Sequence, residues 1–148
     1  ALLARAAYYM LNNQFDLSEK DYLSILQIDP QNRYALLGLG TLKQFSYDFR
    51  AAESYFKTVL EINDEDLESL NGLVKCAWHT KNFETAEKAL TTYLEYHPAK
   101  LDILFTLSGI YYEEKKYSQA LSQLEKIFLF DEDFAGAKEL YNRIKNNF

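Results

Sequence analysis

The sequence predicts an all-α fold built as a stacked array of helix pairs. Three observations carry this: a 34-residue self-similarity, helical apolar spacing within each period, and helix-stopping residues at the period ends. The two prolines, Pro30 and Pro98, lie 68 residues apart, which is two periods. Leu2, Leu36, Leu70 and Leu104 recur at intervals of 34, as do the aromatics Phe15, Phe49, Phe83 and Tyr117. Ser18, Ala52, Ala86 and Ala120 form a small column. Tyr22, Phe56, Leu90 and Leu124 form a large apolar one, and Leu26, Leu60, Leu94 and Phe128 complete the set. Five columns in register exceed chance for 148 residues. A fixed period of this length marks a repeat array.

Each period reads as two helices of about 12 to 14 residues joined by a short turn. Leu70, Leu73, Val74 and Ala77 follow the i, i+3, i+4, i+7 rhythm of one helix face, which excludes strand alternation. After a break, Phe83, Ala86, Leu90, Tyr93 and Leu94 keep a similar rhythm. Asp48 and Asn82 stand where a side-chain oxygen caps the second helix of a pair. Pro30, Asn63-Asp64, His97-Pro98 and Asp131 close the units, where helix stops belong. The expected units are residues 1–32, 33–66, 67–100 and 101–134, within one domain covering residues 1–148. Residues 135–148 are expected to form a capping helix. The apolar side of this tail holds Phe134, just before the helix, and Ala137, Leu140, Tyr141, Ile144 and Phe148; Lys138, Glu139, Arg143 and Lys145 form a wet one. Such a helix seals the last unit of a stacked array. The N-terminal segment has no polar counterpart and no initiator methionine, and the expectation is that it is truncated.

These columns resemble the tetratricopeptide repeat family. The unit from Leu67 matches that pattern through Leu70, Leu73, Phe83, Ala86, Leu90 and Pro98. The unit from Leu101 matches through Leu104, Leu107, Ser108, Tyr111, Ala120 and Leu124. The unit from Arg33 has Leu36, Leu39, Gly40, Ala52 and Phe56, with Lys43 where an aromatic is usual. In the first unit Arg5 replaces the leucine and Ser18 the alanine. The resemblance implies a right-handed α-solenoid of four repeats whose first helices line a concave groove.

Composition bounds the function. A formal net charge of −6 opposes binding to a phosphate backbone, which requires a basic stripe. It also opposes docking on an anionic membrane, and no apolar run approaches the roughly 20 residues of a membrane span. One cysteine forms no internal disulfide, so redox does not fix the compartment and a reducing cytoplasm is compatible. The stretch Lys75 to Thr80 gathers the only cysteine, the only tryptophan and one of two histidines. Register assigns Cys76 to the column of Tyr8, Leu42 and Ile110, so it reads as a small core hydrophobe. Cys76 with His79 supplies two metal ligands and no further cluster, short of a metal site. No oxyanion-hole or glycine-rich signature accompanies them. Neither cofactor nor catalysis is implied. The acidic runs Asp64-Glu65-Asp66 and Asp131-Glu132-Asp133 lack calcium-loop spacing.

A second face of the first helices carries the functional reading. Tyr34, Leu37, Thr41 and Phe45 fall on it in the second unit; Asn71, Lys75, Trp78 and His79 in the third; Phe105 and Tyr112 in the fourth. A solvated face should be charged, yet this one is largely apolar and aromatic, which marks interaction surfaces. The ten residues are expected to bind an apolar or amphipathic peptide or helix of a partner protein. Asn71, Lys75 and His79 supply the orienting hydrogen bonds. Glu68 and Asp102 stand where the family's carboxylate-gripping modules need cations, which argues against that clamp. Two competing readings are a self-assembly scaffold through Leu2, Leu3, Tyr8, Tyr9 and Met10, and a regulatory repeat region of a larger enzyme.

Overall fold

The structure is a computed structural model that describes residues 1–147; Phe148, assigned above to the capping helix, lies outside the described residues. Among those residues it is all helix, with no strand. Nine helices follow in order: α1 (Leu2–Leu11), α2 (Phe15–Ile28), α3 (Arg33–Phe45), α4 (Phe49–Ile62), α5 (Leu67–Thr80), α6 (Glu84–Tyr96), α7 (Leu101–Glu113), α8 (Tyr117–Phe128) and α9 (Ala137–Lys145). The all-α expectation holds, and the period survives in the backbone. Helices α3, α5 and α7 begin 34 residues apart, as do α2 and α4. The chain divides into two compact units, Ala1–Ala86 and Glu87–Phe148.

In the first unit, caps set the helix starts. Asn32 Oδ1 accepts from Ala35 N at 3.1 Å, Asp48 Oδ1 from Ala51 N at 3.1 Å, and Asp66 Oδ1 from Ser69 N at 2.9 Å. Each side-chain oxygen satisfies a backbone donor that the helix leaves unpaired. The sequence columns become the core. Leu36, Leu39, Ala52, Phe56, Leu70 and Leu73 are all buried, and Ser18 in the small column is fully so. Its hydroxyl donates to Ala6 O at 2.8 Å, which lets a polar residue fill an alanine position. Large rings meet glycines here. A Cβ at Gly38 would stand 2.3 Å from the Tyr22 ring. At Gly40 and Gly72 it would stand 2.6 and 2.7 Å from opposite sides of Phe56. The Phe56 ring is therefore wedged between α3 and α5.

Two departures from the repeat pattern have ionic explanations. Arg5 Nε and Nη2 donate to Asp21 Oδ2 and Oδ1 at 2.6 and 2.8 Å, so a forked ion pair ties α1 to α2 where the other units carry leucine. Lys43, where an aromatic was expected, donates to Glu19 Oε1 at 2.7 Å. Arg33 bridges Asp66 and Glu68 at the start of α5. The Arg5 hydrogen bonds hold the Asp21 carboxyl below the usual carboxylate range. Burial pushes Asp66 up, but the bonds from Arg33 and Ser69 outweigh it, and its pKa is also lowered. A carboxyl depressed in the folded state stabilises above its unfolded pKa, near 3.9, and that contribution is lost as pH falls through the folded value. The melting temperature is expected to hold from neutrality to about pH 5 and to fall steeply below it. Asp21→Asn should lower the neutral melting point and flatten the acid limb; thermal melts across this range test it, and an unchanged limb refutes the role of this pair.

In the second unit, Ile103, Leu104, Leu107, Ala120, Leu124 and Ile127 are buried. Lys116, at the α7–α8 turn, donates to Glu87 Oε2 at 2.8 Å. The capping helix is shorter than expected, because residues up to Gly136 form turns and Gly136 takes a left-handed φ of 83°. α9 buries Ala137 and Ile144 and sets Tyr141 edge-on to Phe128 at 5.6 Å. Lys138, Glu139, Arg143 and Lys145 stay exposed and form one wet side of α9.

Every helix-pair turn repeats one backbone feature. Asn13, Tyr47, Lys81 and Lys115, spaced 34 apart, all have φ between 58° and 60°. None is glycine, and a left-handed non-glycine residue costs about 1–2 kcal/mol.

Candidate functional site

The C-terminal turns of α3 and α5 and the first residue of α4 enclose an open cleft of about 410 Å³, lined by Thr41, Gln44, Phe45, Tyr47, Phe49, Lys75 and His79. Its volume falls within the range of ligand-sized sites. Register explains its make-up: Thr41 and Lys75 share one column, Phe45 and His79 another, so adjacent first helices present equivalent positions to one space. Phe45 is 61% exposed and stacks on Phe15 with centroids 6.0 Å apart. His79 lies flat on Phe49, 4.1 Å between centroids and 8° between planes. Tyr47, 79% exposed, stands edge-on to Phe49 at 6.0 Å.

The polar groups are arranged as strictly as the rings. Gln44 Nε2 donates to Gly72 O at 3.1 Å and to Cys76 Sγ at 3.4 Å, tying α3 to α5 beneath the cleft. Thr41 Oγ1 donates to Leu37 O at 2.9 Å. Among the described residues Lys75 makes no ion pair or hydrogen bond, and no acid lines the cleft. Cys76 is fully buried below it. Burial pushes its thiol above the ordinary value, with Gln44 offsetting only part of the shift, the opposite of what a nucleophile needs. Cys76 is a core residue.

Four of the ten sequence-predicted residues, Thr41, Phe45, Lys75 and His79, line this cleft. Leu37 is 7% exposed and belongs to the core. Tyr34 is 64% exposed at the other end of α3, with the Arg33 guanidinium 5.6 Å over its ring. Asn71 is exposed on α5. Trp78 keeps 36% of its surface, with Phe83 edge-on at 5.1 Å and the Lys81 ammonium over its ring. Phe105 and Tyr112 belong to α7 of the second unit. Phe105 packs on Phe134 at 5.6 Å and Tyr112 on Tyr117 at 5.8 Å. The sequence reading missed Gln44 as the inter-helix tie, and Tyr47 and Phe49 as walls. Tyr47 and Phe49 follow the end of α3, where a helix-face argument does not reach; the signal that points to them is the aromatic run Phe45, Tyr47, Phe49.

Comparison with known proteins gives a repeat type for part of the chain. The Tetratricopeptide repeat profile matches residues 46–99, which include the α4–α5 side of the cleft. Residues 46–99 thus carry the tetratricopeptide repeat pattern. Among solved structures, MamA superposes with a TM-score of 0.77 at 18% identity, over 96% of this chain and 83% of that one. YrrB, described as a TPR protein with an unusual peptide-binding site, gives 0.76 at 17% identity, over 99% and 75%. A tetratricopeptide repeat protein from Parabacteroides merdae gives 0.57 at 23% identity, over 99% and 57%. At these identities the likeness establishes the fold alone. No curated protein matches the chain in sequence.

Proposed function

We propose that this tetratricopeptide chain is a non-catalytic interaction module that seats an apolar or amphipathic segment of a partner protein in the α3–α5 cleft. The convergence of Phe45, Tyr47, Phe49 and the His79 ring around one opening carries this reading. Aromatic side chains dominate binding hot spots, and here their rings are fixed by stacking rather than free to collapse. A peptide-binding site in YrrB, which shares the fold, is consistent with it. No helix among the described residues is long and apolar enough to cross a membrane. Tyr34, Asn71 and Trp78 extend the first-helix faces beyond the cleft as secondary contacts, with Phe105 and Tyr112 playing that part in the second unit. A Phe45→Ala, His79→Ala variant that keeps its helical circular dichroism is expected to lose a captured partner by about 30-fold or more. Equal capture by wild type and variant would move binding away from the cleft.

A second reading, self-assembly through α1, has one specific observation behind it. Tyr8 is 60% exposed, whereas its counterparts Leu42, Cys76 and Ile110 are at most 4% exposed. The column that every later unit buries is bare in the first. Sedimentation velocity across a concentration series decides the matter: a strict monomer removes this reading.

A further inference from the structure

We propose that the wet side of α4, where it meets the α5–α6 turn, is a second binding site that takes a phosphorylated side chain of a partner protein. It is independent of the α3–α5 cleft, with which it shares no lining residue.

The opening encloses about 370 Å³, lined by Arg50, Glu53, Ser54 and Lys57 of α4, Thr80 at the end of α5 and Asn82 in the turn that follows. Register explains why it is open. Glu53 stands 34 residues before Glu87, and Asn82 stands 34 before Lys116. In the second unit Lys116 reaches Glu87 at 2.8 Å and closes the equivalent junction. Asn82 is a short amide that makes no such pair, and among the described residues Glu53 has no cation bound to it.

Helix geometry gathers the donors. Arg50, Ser54 and Lys57 follow i, i+4, i+7 on the face of α4 opposite the buried Ala52, Phe56 and Val59. An anion seated over Ser54 stands about 6 Å along the axis from Arg50 and about 4.5 Å from Lys57, within reach of both long side chains. Glu53 lies three residues from Arg50 and four from Lys57, spacings at which ion pairs form on a helix. Among the described residues it pairs with neither, and neither cation has another partner. Arg50 also occupies the first turn of α4, where the helix dipole disfavours a cation. The same column holds Asp16 and Glu84 in other units, so the helix itself gains nothing from Arg50.

The remaining polar groups complete the fit. Among the described residues the Ser54 hydroxyl makes no hydrogen bond. Asn82 spends its backbone N–H on Thr80 Oγ1 at 3.3 Å and its side-chain oxygen on Glu84 N at 3.4 Å, which leaves the amide protons for a ligand. The Thr80 hydroxyl proton goes to Cys76 O at 3.0 Å. A guanidinium, an ammonium, a hydroxyl and an amide therefore line one opening. Four such donors exceed what the two oxygens of a carboxylate use and suit the three oxygens of a phosphate monoester. Two cations against one acid leave the opening at +1 in a chain of net −6, so the attraction is local and screened by salt.

The test uses degenerate heptapeptide pools with a central phosphoserine, serine or glutamate, titrated by fluorescence anisotropy at low salt. The proteins are wild type, an Arg50→Gln, Lys57→Gln double variant, Glu53→Gln and Phe45→Ala. Arg50 and Lys57 are exposed, so the double variant keeps the fold. Wild type is expected to bind the phosphoserine pool at least about tenfold more tightly than either other pool. The double variant should bring the three pools within about twofold of one another. Glu53→Gln should tighten the phosphoserine pool by about twofold or more, and Phe45→Ala should leave the preference intact. Equal affinity of wild type for the three pools overturns the proposal. So does a phosphoserine preference that survives in the double variant, or one that disappears only in Phe45→Ala and so belongs to the α3–α5 cleft. A glutamate pool bound as tightly as the phosphoserine pool overturns the phosphate class. Inorganic phosphate that displaces the phosphoserine pool at that pool's own dissociation constant overturns the partner segment and makes a free anion the occupant.

Discussion

Replacing Phe56 by alanine is expected to destabilise the chain by about 3–5 kcal/mol, the cost of deleting a large buried ring from a site that collapses incompletely. Phe56 is 2% exposed. Gly40 on α3 and Gly72 on α5 press on it from two sides, at virtual Cβ distances of 2.6 and 2.7 Å. Those glycines come at a cost of their own, about 1 kcal/mol each in a helix interior relative to alanine. That their rings of contact are so close says why alanine is absent. Gly72→Ala gains the helix propensity yet forces the ring aside, and overpacking of this kind costs about 1–3 kcal/mol. The expected net result is a loss. In a Phe56→Leu background, where no ring has to move, the same Gly72→Ala change is expected to be neutral or stabilising. Urea unfolding of the four members of that cycle measures the coupling between the two positions. Gly72→Ala that stabilises the wild-type chain would show that α3 and α5 are not held apart by Phe56.

The fold was legible because its dominant constraint repeats in residue type. Leucine at 36, 70 and 104 and a small residue at 18, 52, 86 and 120 fill equivalent core positions, so helix packing writes itself into the sequence every 34 residues. The turns repeat as faithfully but in conformation alone. Asn13, Tyr47, Lys81 and Lys115 share a left-handed backbone and no side-chain chemistry, so comparison by residue type passes over them. Arg5 and Asp21 compensate each other within one unit, and only their three-dimensional proximity explains why the leucine is absent. The lining of the cleft was legible in part. Thr41, Phe45, Lys75 and His79 lie on a helix face that spacing defines. Leu37 lies on the same nominal face, but beside Gly38, where the Tyr22 ring closes in, and it is buried. A helical wheel holds no information about how closely the next helix approaches.

Tyr47→Gly is expected to move stability and binding in opposite directions. Tyr47 has a φ of 60°, a conformation that glycine adopts freely and a tyrosine adopts at about 1–2 kcal/mol. Glycine returns part of that gain, about 0.5–1 kcal/mol, through its more flexible unfolded state. Loss of the edge-on contact with Phe49 returns a little more. The melting point should therefore hold or rise slightly, by the equivalent of at most about 1 kcal/mol. Lys115 occupies the equivalent turn of the second unit with the same φ, so Lys115→Gly serves as the control that reports the backbone effect away from the cleft. What differs between the two turns is the side chain. Tyr47 is the only one of the four turn residues that is aromatic, and its ring walls the cleft while 79% exposed. The left-handed backbone is common to all four turns, so it is the exposed ring in the cleft wall, not the strain, that argues for use of Tyr47. Peptide affinity should accordingly fall at least about tenfold in Tyr47→Gly and stay unchanged in Lys115→Gly. Calorimetric melting paired with fluorescence anisotropy on the same samples reads both quantities. If affinity survives the loss of the ring, Tyr47 is a turn residue and nothing more, and the wall of the cleft must be drawn from Phe45 and Phe49 alone.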